Sequence, residues 1–273
     1  MEVGLIATAL GAVVGLIIAL SGAGGGILAV PLLVFGLHLG VAQAAPVSLI
    51  AVGTASALGA VLGLRERIVR YRAAMLIGSV GMLTAPLGLR LAHWIPNAPL
   101  TLAFAVVLAY VAVRMFTQSR RNSTIARAGR AAVRRCRLSA IDGRLVWTRP
   151  CALAMASTGA VSGLLSGLLG VGGGFVIVPS LTRFTDLPAR SIVATSMAVI
   201  ALVAVSGVSA AAAQGSIDWH IALPFATGAV AALLAGRQVA ARVAGSVLQR
   251  VFAITSAVVA VLMLTRGLAS ILG

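Results

Sequence analysis

The chain has 273 residues, of which 60% are hydrophobic and 10% are charged, and its mean hydropathy is +1.09. A soluble domain of this size has no interior large enough for that much apolar surface, so the composition excludes a soluble globular protein and predicts an integral membrane protein. The net charge of +16 comes from arginines placed between apolar runs, which fits membrane topology better than nucleic-acid binding.

The first apolar run, residues 3–20, is followed by a glycine-rich strip, residues 21–26, and then by Val30 and Pro31. Glu2 precedes the run, where a signal peptide would have cationic residues. Because the run also recurs in mid-chain, we assign it to the mature fold. Each glycine destabilises a helix by roughly 1 kcal/mol. Unwound backbone in lipid also leaves polar groups unpaired unless protein or a water-filled cavity receives them. The strip therefore predicts an interrupted helix whose free N–H groups have a use.

The same pattern returns 148 residues later. At this offset Gly24–Gly26 align with Gly172–Gly174, and Pro31 aligns with Pro179. Further matches are Gly11 with Gly159, Gly15 with Gly163, Gly22 with Gly170, Ser48 with Ser196, Gly59 with Gly207, Gly88 with Gly236 and Phe104 with Phe252. A match that holds over about 95 residues indicates an internal repeat.

The apolar runs predict the same order of segments in each half: a hairpin of two arms, followed by three spans. Repeat one (1–116) has a hairpin at about 3–38 and spans at about 40–63, 73–92 and 99–116. Repeat two (150–273) has a hairpin at about 151–184 and spans at about 189–213, 220–241 and 249–270. We therefore predict an all-α membrane protein of two repeats, each a Gly-rich re-entrant or broken helical hairpin followed by three transmembrane helices. The sequence leaves open whether the hairpins are re-entrant or fully crossing.

The arginines predict that the two repeats are inverted in the membrane. The connection after the first full span of repeat one, residues 65–72, holds four arginines, whereas its counterpart, residues 214–219, has none. The next connection reverses this bias, because residues 93–98 lack arginine and repeat two places Arg237, Arg242 and Arg250 there. Under the positive-inside rule, equivalent loops with opposite bias lie on opposite sides. With re-entrant hairpins, every arginine except Arg90 and Arg266 falls on the cytoplasmic side.

Residues 117–149 are predicted to be a cytoplasmic, arginine-rich linker, in which residues 124–138 form either a basic helix on anionic lipid headgroups or a solvated connector. Cys136 and Cys151 lie in or beside it. Because a disulfide requires an oxidising compartment, we expect both to be free thiols.

The glycine strips are the candidate binding site. Because proline is favoured in a helix's first turn, the second arms are predicted to become helical only near Val30 and Val178, leaving Gly24–Ala29 and Gly172–Ile177 partly unwound. Their N–H groups would then lie at the positive end of a half-helix and bind an anion without a charged side chain. The alternative role for the glycines is close helix packing. The candidate residues are Gly24, Gly25, Gly26, Gly172, Gly173 and Gly174, with hydroxyls from Ser21, Ser48, Thr54, Ser166, Thr195 and Ser196.

These residues carry a family resemblance. Two Gly-x-Gly-Gly-Gly strips that end in Val-Pro, each followed by a small-residue segment containing Ser48 or Thr195-Ser196, resemble the sulfite exporter TauE/SafE family, also called the toluene-sulfonate uptake permeases. The resemblance covers residues 3–116 and 151–270. It implies a carrier in the bacterial inner membrane for a small sulfur-containing anion such as sulfite, thiosulfate or an organosulfonate. Residues 46–48, Pro-Val-Ser, depart from the Ala-Thr-Ser pattern that residues 194–196 keep.

Other chemistry has little support. No acid lies in a predicted span, since Glu66, Asp186 and Asp218 fall in connections, so a carboxylate proton relay is not expected. An intramembrane serine hydrolase would need a Ser–His pair, for which Ser166 and His220 are the candidates. A passive anion channel is the main alternative to a carrier. We expect no enzyme activity, no metal, no cofactor and no nucleic-acid partner, and a homo-oligomer is compatible with the sequence.

Overall fold

A computed structural model describes residues 2–122, 136, 148–240 and 254–265 of the protein. The first half consists of α1 (Glu2–Ser21), a 3-10 helix (Gly22–Leu28), α2 (Ala29–Gly36), α3 (Val41–Arg65), α4 (Tyr71–Trp94) and α5 (Asn97–Asn122). The second half consists of α6 (Arg149–Leu169), α7 (Gly174–Phe184), α8 (Ala189–Ala213), α9 (Trp219–Ala240) and α10 (Ile254–Thr265). These residues form no β-strand, and the predicted all-α class is confirmed.

Six of the described helices are long and apolar enough to cross a bilayer, namely α1, α3, α4, α6, α8 and α9. The protein is therefore a multi-pass membrane protein. The first arm of each predicted hairpin is among the six, since α1 has 20 residues and α6 has 21. At 1.5 Å per residue such a helix reaches about 30 Å. The second arms, α2 with 8 residues and α7 with 11, are too short to cross alone.

Equivalent helices of the two halves make equivalent contacts. Helix α1 packs along α9, and its counterpart α6 packs along α4, which is the counterpart of α9. Glycines mediate both contacts: Gly11 lies against the carbonyl oxygen of Phe225, and Gly159 lies against that of Ile77. Each residue of the second pair is 148 positions from its equivalent in the first. The first helix of each half thus packs against the other half, in equivalent contacts on the two sides.

The order of these contacts gives the direction of the helices. Helices α1 and α9 run parallel, because Gly4 adjoins Pro224 near their first residues and Leu16 adjoins Gly236 further along both. The central pair, α3 and α8, runs antiparallel. Gly63 near the end of α3 adjoins Ala194 near the start of α8, and Gly207 late in α8 adjoins Leu49 early in α3. Two repeat-equivalent helices therefore point in opposite directions.

Helices α3 and α8 form the centre of the protein. About two-thirds of the positions in the α3 span are buried (67%), and the value for α8 is 61%, compared with 28% for α1. The outer helices cover this pair, since α3 also packs on α9 and α8 also packs on α4. Both central helices consist mainly of alanine, valine and other small or β-branched residues, which permit this close approach.

The two cysteines form a disulfide bond, so the prediction that Cys136 and Cys151 are free thiols is wrong. Their Cα atoms are 5.1 Å apart, and both residues are buried. The backbone N–H of Cys136 also donates to the carbonyl oxygen of Phe184 over 3.0 Å, which places this residue beside the end of α7. The prediction rested on the charge of the surrounding segment, which carries no information on how closely the two thiols approach in the fold.

The predicted arginine-rich linker lies mostly outside the described residues. Helix α5 continues to Asn122, and α6 begins at Arg149 after Thr148, whose side chain accepts a hydrogen bond from the N–H of Cys151. The predicted basic helix at residues 124–138 falls outside the described residues except for Cys136. The last predicted span, 249–270, is described from Ile254 to Thr265.

Candidate functional site

The second glycine strip joins α6 to α7 through a backbone conformation that favours glycine. Gly170, Gly172 and Gly173 have φ angles of 69°, 70° and 70°, in the left-handed region. Gly170 ends α6, and its N–H donates to the carbonyl oxygen of Ser166 over 2.8 Å. Gly173 starts α7, since its carbonyl oxygen accepts from the N–H groups of Val176 and Ile177. The interruption between the two arms is therefore only four residues long.

Buried N–H groups in this strip lack acceptors. Among the described residues, no hydrogen bond from the N–H of Gly172 or Gly173 to the protein is present, although both residues are buried. Over nine-tenths of buried backbone polar groups in folded proteins are paired. Two neighbouring donors left unpaired next to the start of α7 therefore indicate a place where an anion or another acceptor binds.

The carbonyl oxygens of Gly170 and Gly173, at the two ends of the left-handed turn, accept hydrogen bonds from serine hydroxyls. The hydroxyl of Ser48, on α3, donates to the carbonyl oxygen of Gly170 over 2.6 Å. The hydroxyl of Ser162, on α6, donates to the carbonyl oxygen of Gly173 over 3.2 Å. Both serines are buried. They hold the strip on both sides and fix the positions of the N–H groups of Gly172 and Gly173 between them.

Two further hydroxyls near the strip have no partner. Ser166 and Ser196 are fully buried, and neither Oγ atom meets a hydrogen-bonding partner among the residues that the structure describes. Ser166 lies one helical turn after Ser162 on the same face of α6. Ser196 lies one turn before Ile200 on α8, and Ile200 faces the strip. An unpaired buried hydroxyl costs about 1–3 kcal/mol, so these two serines also indicate a site for a polar ligand.

The strip lies halfway along the central helices. A Cβ atom placed on Gly172 would be 2.8 Å from Cγ2 of Ile200 and 3.1 Å from Cγ1 of Val52. These two residues are repeat equivalents, and each lies near the middle of its 25-residue helix. If α3 and α8 both cross the membrane, the second strip lies close to its midplane.

The two strips meet at this point. A Cβ atom on Gly26 would be 2.8 Å from the same Val52 and 3.4 Å from the carbonyl oxygen of Val171. Yet the strips differ in conformation, since residues Gly22–Leu28 form a 3-10 helix that leads directly into α2. The backbone of one strip is helical, and that of the other has a left-handed turn.

The predicted extent of unwinding fits the two strips unequally. In the first strip, α2 begins at Ala29, next to the predicted Val30, but the residues before it form a 3-10 helix and are not open backbone. In the second strip, Gly172–Ile177 was expected to be partly unwound with helix only near Val178, but α7 already begins at Gly174, ahead of Pro179, because the left-handed Gly173 lets a helix start there. Only the first proline lies where predicted, in the first turn of its helix.

Among the predicted site residues, the structure brings Gly26, Gly172 and Gly173 together around Val52 and joins Ser48 to the second strip. Helix periodicity puts Ser166 and Ser196 on the faces of α6 and α8 that hold Ser162 and Ile200. Gly25 and Gly174 are buried in the same two segments. The backbone of Gly24 lies in the 3-10 helix, and the side chain of Ser21 lies outside the described part.

Two predicted hydroxyls lie elsewhere. Thr54 is exposed on the opposite face of α3, and its hydroxyl donates back to the carbonyl oxygens of Ile50 and Ala51. The hydroxyl of Thr195 accepts from the N–H of Arg70 over 3.0 Å, at the start of α4. Their positions in the sequence do not reveal which face of a helix meets the strip.

Ser162 was not predicted as a site residue. The signal was present, because Ser162-Gly163 and Ser166-Gly167 are spaced by four residues just before the strip. On a helix this spacing places both serines on one face and both glycines on another. The glycine face packs against α4, and the serine face holds the strip.

A serine hydrolase is not supported by this geometry. The hydroxyl of Ser166 has no hydrogen-bonding partner, so it forms no pair with His220. His220 is exposed at the start of α9, where its backbone N–H donates to Oδ1 of Asp218 over 3.0 Å. A buried nucleophile without a base cannot be activated for acyl transfer.

Comparison with known proteins agrees with the membrane architecture. A family model described as sulfite exporter TauE/SafE matches residues 7–263. The chain is 28% identical over 266 residues to a probable membrane transporter protein of Xylella fastidiosa strain 9a5c, covering 96% of this chain and 95% of the relative. It is 29% identical over 270 residues to a protein of the same description from strain Temecula1, with the same coverage. A probable membrane transporter protein of Methanocaldococcus jannaschii is 28% identical over 72% of this chain and 68% of its own length. No solved structure matches.

Proposed function

Because the chain belongs to the sulfite exporter TauE/SafE family, we propose that this membrane transporter is a secondary carrier of a small anion, with a sulfur oxyanion or an organosulfonate as its substrate. The observation that carries this proposal is the cluster of buried, unpaired donors at the second strip: the N–H groups of Gly172 and Gly173 and the hydroxyls of Ser166 and Ser196. The bacterial relatives support a place in the prokaryotic inner membrane.

The donor set suits an oxyanion. Sulfite, thiosulfate and sulfonates present several acceptor oxygens in a compact group, which suits the unpaired N–H groups of Gly172 and Gly173 and the hydroxyls of Ser166 and Ser196. The start of α7 adds the partial positive charge of a helix N-terminus. A fixed positive charge in the site would slow the release of the anion in each transport cycle. A site of neutral donors binds the anion without such a charge. These residues would hold the anion at the sulfur-bound oxygens.

Two structural features support alternating access around this site. The antiparallel α3 and α8, with the opposite arginine bias of their loops, support inverted repeats. The strips differ as well. Ser48 donates a hydrogen bond to the carbonyl oxygen of Gly170 in the second strip. The equivalent bond would join Ser196 to Gly22 in the first strip, but Ser196 has no partner among the described residues. An inverted-repeat carrier has unlike halves in any one state and exchanges their conformations in the opposite state. In the other state, Ser196 would bond to Gly22 and Ser48 would be released.

The arginine bias supports a cytoplasmic position for the linker, residues 117–149, in which the buried Cys136–Cys151 disulfide would be shielded from the reducing cytoplasm. Its arginines would then lie near anionic headgroups of the inner leaflet. The hairpins, each with one membrane-length arm and one short arm, bring both strips back to the middle of the protein. Such interrupted segments in two matching places are the usual binding elements of secondary transporters.

A passive anion channel is the second candidate, and counterflow separates the two. Proteoliposomes loaded with unlabelled sulfite are diluted into a trace of labelled sulfite. A carrier accumulates the label transiently, because unlabelled internal substrate competes with the label for exit and returns the site to the outside in its loaded form, whereas a channel only equilibrates the label. Thiosulfate and methanesulfonate, tested in the same way, identify the preferred anion. Absence of counterflow with conductive anion flux would support the channel instead.

A further inference from the structure

An apolar groove of about 630 Å³ lies on the face of α3 and α8 that points away from the glycine strips. It follows the antiparallel pair and is lined at repeat-equivalent positions of both helices. These positions include Ile50 with Ala198, Ala57 with Val205, and Ala60 with Val208. The side chains at its edges are open to the surroundings, since Val61 is 47% exposed and Val205 is 63% exposed. The groove therefore opens towards the membrane.

Between its ends, the groove offers no free hydroxyl among the described residues. Two of its three hydroxyl-bearing residues bond to their own helices: Thr54 donates to the carbonyl oxygen of Ile50 over 2.8 Å, and Ser209 donates to that of Ser206 over 2.9 Å. The third, Tyr71, lies at one end. A polar ligand would find nothing to bind here. A hydrocarbon chain would fill the groove and lose no hydrogen bond on leaving the bilayer.

One end of the groove is strongly cationic. Leu64, Val69 and Tyr71 line this end, and they lie in or beside the α3–α4 connection. The arginines of that connection, Arg65, Arg67, Arg70 and Arg72, alternate with these apolar residues, and Glu66 is its one acid. Leu64, Val69 and Tyr71 thus line the groove, and the arginines are their neighbours in the chain at the same end of α3.

One of these arginines is partly buried without a full set of partners. The backbone N–H of Arg70 donates to Thr195, but its side-chain Nε is buried and meets no hydrogen-bonding partner. The guanidinium of Arg72 lies over the ring of Tyr71, 5.9 Å from its centre. A half-buried cation with a free donor, beside an apolar groove, indicates an anionic group joined to a hydrocarbon chain.

We propose that this groove binds an anionic phospholipid, with one acyl chain between α3 and α8 and the phosphate at Arg70 and its neighbouring arginines. The bound lipid would contact α3, α4 and α8, and so it would join helices of both repeats. This site is separate from the glycine strips, and the proposal does not depend on which anion the protein transports.

The test uses the full-length protein, delipidated in detergent. Phosphatidylglycerol and phosphatidylcholine with identical acyl chains are titrated separately, and bound lipid is counted by native mass spectrometry. We expect phosphatidylglycerol to bind more tightly and to raise the melting temperature. Arg70→Gln should weaken its binding about five-fold, as for the loss of one arginine near an anionic lipid. Arg90→Gln, at the far end of α4, is the matched control and should bind as the wild type does.

A second variant tests the groove itself. Ala57→Phe places a ring in the groove and should prevent lipid binding, whereas Ala103→Phe, at an exposed position of α5, should have no effect. Equal binding of the two lipids, or unchanged binding by Ala57→Phe, would overturn the proposal. So would stabilisation by glycerol 3-phosphate alone, which would mean a site for a free anion, or a dimer that Ala57→Phe dissociates, which would mean that a second copy fills the groove.

Discussion

The hydroxyl of Ser48 donates a 2.6 Å hydrogen bond to the carbonyl oxygen of Gly170, and this contact joins α3 of the first repeat to the glycine strip of the second. Its counterpart across the repeat, Ser196, is equally buried but has no partner. Two serines at equivalent positions of the repeat therefore differ in hydrogen bonding. The first stabilises the strip, and the second is available to a ligand.

This difference predicts unlike effects on stability. Ser48→Ala removes a satisfied buried hydrogen bond and should destabilise the protein by about 1 kcal/mol. Ser196→Ala removes a hydroxyl without a partner, so its stability should match or exceed that of the wild type. Thermal unfolding of both variants in one detergent, without substrate, measures this. Equal losses of stability would mean that the two hydroxyls are bonded alike in the resting protein.

The glycines between α1 and α9 and between α6 and α4 are predicted to be required for close packing. A Cβ on Gly11 or Gly159 would overlap the carbonyl oxygen of Phe225 or Ile77. Each alanine variant should therefore cost about 1–3 kcal/mol. Gly4→Ala is the control, because there a Cβ would lie 3.9 Å from Pro224. A Gly11→Ala protein with the same melting temperature as Gly4→Ala would show that α1 and α9 are too far apart for a Cβ at Gly11 to overlap Phe225.

Inversion of the repeats predicts the accessibility of two equivalent positions. Arg65 ends α3, Ala213 ends α8, and both are exposed. Single cysteines at these positions, in a chain whose own cysteines are replaced by serine, should react with an impermeant thiol reagent from opposite sides of the membrane. Labelling of Arg65→Cys and Ala213→Cys from the same side would be incompatible with inversion.

The disulfide predicts a redox-dependent stability. Cys136 and Cys151 are separated by 15 residues, and closing a loop of that size stabilises a fold by about 3 kcal/mol. A reducing agent should lower the melting temperature of the wild type but not that of the Cys136→Ser/Cys151→Ser variant. Thiol titration of the unfolded, unreduced protein should find no free thiol. Two free thiols in protein purified without reductant would contradict the pairing.

The coarse fold can be predicted from the sequence because the bilayer constrains it directly. The length of an apolar run indicates a membrane span, and the spacing of glycines indicates where helices pack closely. The repeat offset of 148 residues identifies pairs such as Gly11 and Gly159, and the structure gives both the same role. The family resemblance is likewise confirmed by the match over residues 7–263. These properties are local or periodic, and so a single sequence reveals them.

The details of the site required the structure. Side-chain chemistry alone does not distinguish Thr195, which accepts from the backbone of α4, from its neighbour Ser196, which has no partner. The difference arises from helix rotation, which depends on packing between distant segments. The conformations of the two strips could not be predicted either. Their glycine patterns match closely, but one is a 3-10 helix and the other turns through three left-handed glycines.

The central claim, that the unpaired donors at the second strip bind the transported anion, is tested most directly by the concentration dependence of flux. Glycine variants suit this test poorly, because a side chain at Gly173 would overlap the hydroxyl of Ser162 and disturb the fold whatever the site binds. Ser166→Ala and Ser196→Ala avoid this problem, since neither removes a hydrogen bond within the protein.

Initial rates of sulfite, thiosulfate and methanesulfonate uptake into proteoliposomes are measured over a range of concentrations for the wild type, Ser166→Ala, Ser196→Ala and the double variant. Loss of one hydrogen bond of about 1 kcal/mol should raise the half-saturating concentration of the transported anion about five-fold in each single variant, and further in the double variant. The melting temperature without substrate should stay at the wild-type value. A folded double variant that transports with wild-type half-saturation for every anion would contradict the claim and place the site elsewhere.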